Sequence, residues 1–185
     1  MANCVAVVLA AGASTRFPGN KLLAEFRGRP LIRWAVETAR AAVSEVYVVI
    51  GHDAERVKKA ADAPAIHNPW WKLGISTSIK AAIVALIEAR CIIFTLGDMP
   101  LVRPETVREL CRHCQKGAVV PTYKGVRGNP VAVAKDLYPI ALTELENDIG
   151  MRALFNKTPV RYVEVNDPAI HMDIDTPQDL YRQTP

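Results

Sequence analysis

Two cations and a carboxylate, each placed beside a glycine turn, are the residues of this 185-residue chain best suited to polyphosphate chemistry. The first turn reads Leu9-Ala10-Ala11-Gly12-Ala13-Ser14-Thr15-Arg16-Phe17-Pro18-Gly19-Asn20-Lys21. Its small residues let a backbone approach a ligand closely, and successive N–H groups can line an anion-binding hollow. Arg16 and Lys21 add two charges at a spacing that lets both converge on one polyphosphate. The turn is not a Walker A loop, because no Gly-Lys-Ser/Thr follows, and Gly-x-Gly-x-x-Gly is absent as well. The plainer reading is a surface turn with two solvated cations.

The second turn, Gly97-Asp98-Met99-Pro100, ends an apolar run and sets one carboxylate at its tip. Mg²⁺ is typically held by one or two carboxylates together with substrate phosphates, so Asp98 opposite the first loop is the minimum needed for a magnesium–nucleotide complex. The competing role, a cap on the helix opened by Pro104, fits less well because that helix begins six residues later. Near the end, Asp173 and Asp175 lie two residues apart in Asp173-Ile174-Asp175-Thr176-Pro177, on one side of an extended segment. They can supply a further oxygen to the metal, or Asp175 can cap the helix that Pro177 opens.

Asn68-Pro69-Trp70-Trp71-Lys72-Leu73-Gly74-Ile75-Ser76-Thr77-Ser78 joins a strand end to a helix start, where N–H groups and hydroxyls can take a sugar or phosphate oxygen. The two tryptophans can stack on a flat heterocycle, although at least one is expected to pack in the loop base. His52, His67, His113 and His171 have no metal-ligand spacing, and no Gly-x-Ser-x-Gly or His-Glu-x-x-His is present.

These loops need elements to hold them. Residues 5–9 form a continuous apolar, largely β-branched run, as expected of a strand buried on both faces. Further strands are expected at 46–50, 65–67, 91–96, 118–120, 130–134 and 160–165, with a turn at Lys124-Gly125 between the fifth and sixth. Helices are expected over 30–42, 53–61, 77–89, 104–115 and 177–181, with a helical stretch between Asp136 and Phe155. The alternation predicts a single α/β domain over residues 1–185, with a mostly parallel, doubly wound, Rossmann-like sheet. In such sheets ligands bind outside the carboxyl ends of the strands, where the loops after Leu9, His67 and Leu96 all begin.

Net charge is +4 and spread along the chain, which leaves no footprint for nucleic acid. No apolar run is long enough to span a bilayer and the start has no signal-peptide pattern, so no membrane partner and a cytoplasmic location are expected. Cys4 and Cys91, inside strands, are expected as small buried thiols, and Cys111-Arg-His-Cys114 has the spacing of a redox or zinc half-site but, with no second pair, reads as a helix surface in a reducing compartment.

In this order, Leu9-Ala10-Ala11-Gly12…Ser14…Arg16…Lys21, Asn68…Trp71…Gly74…Ser76…Ser78, Gly97-Asp98-Met99-Pro100, Gly128-Asn129-Pro130, Asp148…Gly150…Arg152 and Asp173…Asp175 resemble the MobA-like nucleotidyltransferase family. Within it the chain is most similar to the molybdenum cofactor cytidylyltransferase (MocA) type. The resemblance implies a fold of the nucleotide-diphospho-sugar transferase type. It also implies transfer of a nucleoside monophosphate to the terminal phosphate of a molybdopterin-type cofactor, with Mg²⁺ and release of pyrophosphate. Leu9, Ala10, Ala11, Gly12, Ser14, Arg16 and Lys21 would hold the nucleotide, and Arg16, Lys21 and Asp98 would serve catalysis. Asp98 with Asp173 or Asp175 would bind metal, and Asn68, Gly74, Ser76, Ser78 and Asn129 would face the pterin acceptor. A molybdoenzyme or its chaperone would receive the product. Guanylyltransferase relatives usually read Leu-Ala-Gly-Gly in the first loop, so Ala11 favours CTP over GTP. Two positions depart from the family pattern: Phe17-Pro18 replaces Met-Gly, and Asn147 replaces the glycine before Asp148. The alternatives are a guanylyltransferase, a sugar-1-phosphate nucleotidyltransferase and a non-catalytic nucleotide sensor.

Overall fold

A computed structural model of the chain describes residues 4–15 and 17–182. Seven strands form the path of its central sheet, in the order β10-β7-β9-β6-β1-β4-β5, and β8 pairs with β7 off this path. In the chain these are β1 (Cys4–Ala10), β4 (Glu45–Ile50), β5 (Ala65–His67), β6 (Cys91–Leu96), β7 (Ala118–Tyr123), β8 (Val126–Arg127), β9 (Val131–Ala134) and β10 (Val160–Glu164). A small hairpin, β2 (Glu25–Phe26) with β3 (Arg29–Pro30), stands apart. The helices are α1 (Leu31–Ala42), α2 (Ala54–Ala61), α3 (Ile75–Ala85), α4 (Pro104–His113), α5 (Tyr138–Glu144) and α6 (Pro177–Arg182).

Strand alternation divides the apolar residues between two faces. Val7, Val49, Ile92, Phe94 and Val133 meet Ile79, Ile83, Tyr138 and Ala141 of α3 and α5. On the other face Ala6, Val8, Val48 and Ile50 meet Ile32, Val36 and Val57 of α1 and α2. Ile93, Val119 and Ala132 meet Val107 and Leu110 of α4 on that same side. Covering both faces is what lets continuous apolar strands exist, and each buried aliphatic side chain contributes about 1.5–3 kcal/mol. The fold is therefore the expected doubly wound α/β. β1 is parallel to both β4 and β6, so the chain runs outward in two directions from it. That switch point opens a crevice at the carboxyl ends of β1, β4 and β6.

The strands expected at 118–120 and 130–134 do pair, antiparallel, with one short strand added between them in the chain. The turn at Lys124-Gly125 closes β7 on the short β8, while β9 inserts between β7 and β6, antiparallel to both. The stretch 136–155 is not one helix. α5 ends at Glu144, and Asn147, at φ 52°, reverses the backbone. Asn tolerates this left-handed conformation better than most residues, so it suits a position where the family usually has glycine. Asp53 stands at the N-cap of α2 but its carboxylate pairs with Arg56 and makes no capping hydrogen bond.

The cysteines also depart from expectation. Cys4 and Cys91 are register partners on neighbouring strands, and Cys111 and Cys114 lie near the end of α4, facing the sheet. Cys4 pairs with Cys111 and Cys91 with Cys114 as disulfides, leaving no free cysteine. α4 is thus tied to the two central strands at the end of the sheet opposite the crevice. A pattern one turn apart on a helix does not show which thiols the sheet will bring to it.

Candidate active site

The crevice is a cleft of about 870 Å³ lined by the first loop, the 71–75 loop, Asn147 and Asp148, and the carboxylates Asp98, Asp173 and Asp175. A shallower hollow of about 750 Å³ lies beside α1 and α2. Its Arg29 and Arg33 are tied to Glu37 and its Arg56 to Asp53, so these cations are already engaged.

The first loop leaves β1 with Ala11 accepting from His52 N at 3.0 Å and Ser14 at φ 54°. The N–H groups of Gly12, Ala13, Ser14 and Thr15 meet no partner among the described residues, so donors stand at the cleft wall. A side chain at Gly12 would point into open space, whereas the Ala11 methyl packs into the core beside Val7, Val49 and Ile79. Arg16 lies outside the described residues. After it, Asn20 accepts from Leu22 N at 3.1 Å and caps a single 3₁₀ turn that presents Lys21 to the cleft.

Lys21 Nζ lies 2.7 Å from Asp98 Oδ2 and 2.8 Å from Asp175 Oδ1. Asp98 follows β6, where Gly97 donates to Leu9 O at 3.1 Å. A Cβ at Gly97 would come within 2.8 Å of Ile32 Cδ1 on α1 and 3.3 Å of Leu9 O, so glycine leaves room for α1 and the end of β1 to pack here. The opposing carboxylate arrives by a different route. Buried Asp167 accepts from Arg103 N and Thr106 Oγ1 at the start of α4 and from Ala169 N, and so docks the C-terminal segment. Ile174 then donates its N–H to Asp98 O at 2.9 Å and buries its side chain against Phe26 and Leu31. With Ile174 facing inward, the flanking Asp173 and Asp175 both line the cleft. Thr176 N and Asp175 N are bonded by Asp179, so that end is capped by a residue sequence reasoning did not single out.

Burial pushes the Asp98 carboxyl above the usual carboxylate range. Lys21 pulls it back and Asp173 adds to the rise. Burial also works against the Lys21 charge, but Asp98 and Asp175 outweigh it and hold its pKa above the ordinary lysine value. The net upward direction for Asp98 means that one ammonium does not fully compensate this site. Asp98 Oδ1 is in addition buried with no hydrogen-bond partner among the described residues. An unpaired buried carboxylate oxygen suits a hard divalent cation. No three acidic, His or Cys side chains among the described residues form a ready-made metal cage.

The acceptor-side residues divide. Gly74 and Ser78 line the cleft, while Asn68, Ser76 and Asn129 are not among its lining residues. Asn68 is buried, donating to Thr77 Oγ1 and Ser78 Oγ at 2.9 Å and accepting from Trp70 N, so it holds the loop in shape. Asn129, in a cis peptide with Pro130, donates its N–H to Ile170 O. The start of α3 is not an open anion site, because Ile75 N donates to Asp148 Oδ1 and Ser76 N to Asn147 O. Trp71 lies over Gly51 with its ring 5.2 Å from that of His52, whereas Trp70 is 66% exposed. Asn147 and Asp148 join the site although sequence reasoning assigned them no role. Their signal was the Asp148…Gly150…Arg152 pattern.

The E. coli (strain K12) molybdenum cofactor cytidylyltransferase is 29% identical to this chain over 178 residues, 94% of this chain and 92% of that protein. The crystal structure of Rv0371c from Mycobacterium tuberculosis H37Rv superposes with a TM-score of 0.85 at 26% identity, covering 97% of this chain and 96% of that one. A manganese complex of Rv0371c superposes with a TM-score of 0.79 at the same identity, covering 97% of each chain. CMP:2-keto-3-deoxy-manno-octonic acid synthetase, in a complex with CTP, shares the fold at 19% identity and a TM-score of 0.78, covering 97% of this chain and 95% of that one. The profile of the MobA-like NTP transferase domain matches residues 6–164, and with the cleft built as described the chain belongs to that nucleotidyltransferase family.

Proposed function

We propose that the chain transfers CMP from CTP to the terminal phosphate of a molybdopterin-type cofactor and releases pyrophosphate. The observation that carries this reading is the buried Asp98 Oδ1 beside Lys21, which has no hydrogen-bond partner among the described residues, near a loop whose N–H groups likewise meet none among them. A phosphate monoester is largely dianionic at neutral pH, its second pKa being about 6, so the acceptor needs no general base. What remains is to offset repulsion, align the attacking oxygen with the α-phosphate and stabilise the departing pyrophosphate. The first-loop N–H groups and Lys21 are suited to the outer phosphates, and Arg16 is assigned the same duty from its place in the motif. Asp98 with Asp173 or Asp175 would hold Mg²⁺, which supplies charge neutralisation on the phosphates when bound. Gly74 and Ser78 would face the acceptor, with Asn68 and Ser76 shaping their loop.

CTP is favoured by the first-loop likeness to cytidylyltransferases and by the E. coli relative. The inward packing of the Ala11 methyl argues that the base is read mainly by other contacts. Pyrophosphate release from CTP with molybdopterin, against GTP and against sugar 1-phosphates, tests the proposal. A preference for GTP would overturn the nucleotide choice, and turnover with sugar phosphates alone would overturn the acceptor.

A further inference from the structure

We infer that Lys21 is an exchangeable internal cation: it holds the metal carboxylates together while the cleft is empty and gives them up when triphosphate enters. The inference rests on the nucleotide and metal reading of the same cleft and adds how the binding of one depends on the other. Its ground is that one ammonium spans Asp98 and Asp175, at 2.7 and 2.8 Å, from a side chain only 12% exposed. The two carboxylates come from distant parts of the chain, the end of β6 and the segment after Ile174, and Lys21 is their shared partner. A divalent cation needs those same oxygens, together with Asp98 Oδ1, which has no partner among the described residues. Lysine and metal therefore compete for one place.

Lysine suits the exchange. Its charge is a point at the end of a flexible stem, so it can swing without repacking, which a planar guanidinium held by two bonds does not do as readily. The 3₁₀ turn fixes its backbone next to the loop whose N–H groups meet no partner among the described residues, so a triphosphate there is within the stem's sweep. Leaving the carboxylates is costly unless another anion receives the ammonium, and the outer phosphates are that anion. Nucleotide and metal should then bind cooperatively, each raising the other's affinity by the same factor. Free divalent cation should bind the empty protein weakly.

Mn²⁺ binding by calorimetry and by the paramagnetic signal of free Mn²⁺ tests this without turnover, on wild type, Lys21→Met and Lys21→Arg. Lys21→Met should bind Mn²⁺ at least tenfold more tightly than wild type without nucleotide, and inorganic triphosphate should then enhance binding far less than in wild type. Lys21→Arg, keeping a cation, should stay close to the wild-type weakness. Mn²⁺ should also raise the melting temperature of Lys21→Met more than that of wild type, a readout that holds even if the variant is less stable. Equal or weaker Mn²⁺ binding by Lys21→Met, with wild type still taking Mn²⁺ in the presence of CTP, would overturn the exchange and leave the metal reading standing. Absence of Mn²⁺ binding from every protein, with or without CTP, would overturn both.

Discussion

Replacing the cysteines pair by pair, as Cys4→Ala/Cys111→Ala and Cys91→Ala/Cys114→Ala, separates two cross-links that differ mainly in loop length. The first closes a sequence separation of 107 residues and the second one of 23. In the chain-entropy description the unfolded state regains about 4.8 kcal/mol of freedom when the long loop opens and about 3.4 kcal/mol for the short one. The difference, about 1.4 kcal/mol, depends only on the logarithm of the length ratio and is the firmer quantity. The residues involved lie in one cluster with Ile93, Val107 and Leu110, so the packing lost with each sulfur pair is similar and largely cancels. For a chain of this size 1 kcal/mol corresponds to roughly 2–4 °C. The long-loop variant should therefore melt about 10–19 °C below wild type and about 3–6 °C below the short-loop variant. Calorimetry of the oxidised proteins reads both numbers, and non-reducing peptide maps verify the pairing. Melting temperatures equal to wild type, or the short-loop variant melting lower, would refute the argument. Because the cross-links lie at the end of the sheet opposite the cleft, nucleotide affinity at 25 °C should be unchanged in both variants.

Asp98→Ala should lower kcat/KM by at least a thousandfold, with a melting temperature at or above that of wild type, since burial already disfavours its ionised form. Near-normal turnover at saturating Mg²⁺ would remove Asp98 from the chemistry. Gly74 has φ 103°, and a Cβ there would meet Asn147 O at 2.2 Å. Gly74→Ala should thus cost on the order of 3 kcal/mol through backbone strain and loss of the two bonds that join α3 to residues 147–148. Denaturant unfolding measures the loss, and steady-state kinetics should show acceptor KM rising more than nucleotide KM. Tyr138 is buried and donates to Ala89 O at 3.0 Å, and burial pushes its pKa above the ordinary value. The folded pKa being the higher one, its contribution is complete below about pH 10 and is lost as pH rises further. Absorbance titration should show Tyr138 ionising only with unfolding, and Tyr138→Phe should lose less stability than wild type between neutral pH and pH 11.

Much of the cleft was legible from local pattern alone. Apolar runs ending in glycine turns located the carboxyl ends of β1 and β6, because a strand buried on both faces needs an uninterrupted apolar sequence. The two-residue spacing of Asp173 and Asp175 likewise put both on one side of an extended segment, and Ile174 between them is the anchor that makes it so.

What only the tertiary structure decided concerns partners distant in the chain. Asp98 reads in sequence as a metal ligand or a helix cap, and the fold gives the bonds at the start of α4 to Asp167, 64 residues after Arg103. Lys21 reads as a phosphate cation, and its pairing with Asp175 spans 154 residues. Asn68 reads as an acceptor contact, yet its amide is spent inside its own loop, since a buried amide must be paired locally when no water reaches it. Cys111 and Cys114 read as surface thiols because helical spacing shows which residues share a face and not what that face meets. Periodicity fixes the direction of a side chain relative to its own element. Strand order and the path of the C-terminal segment fix what stands opposite, and these follow from the whole pattern of burial.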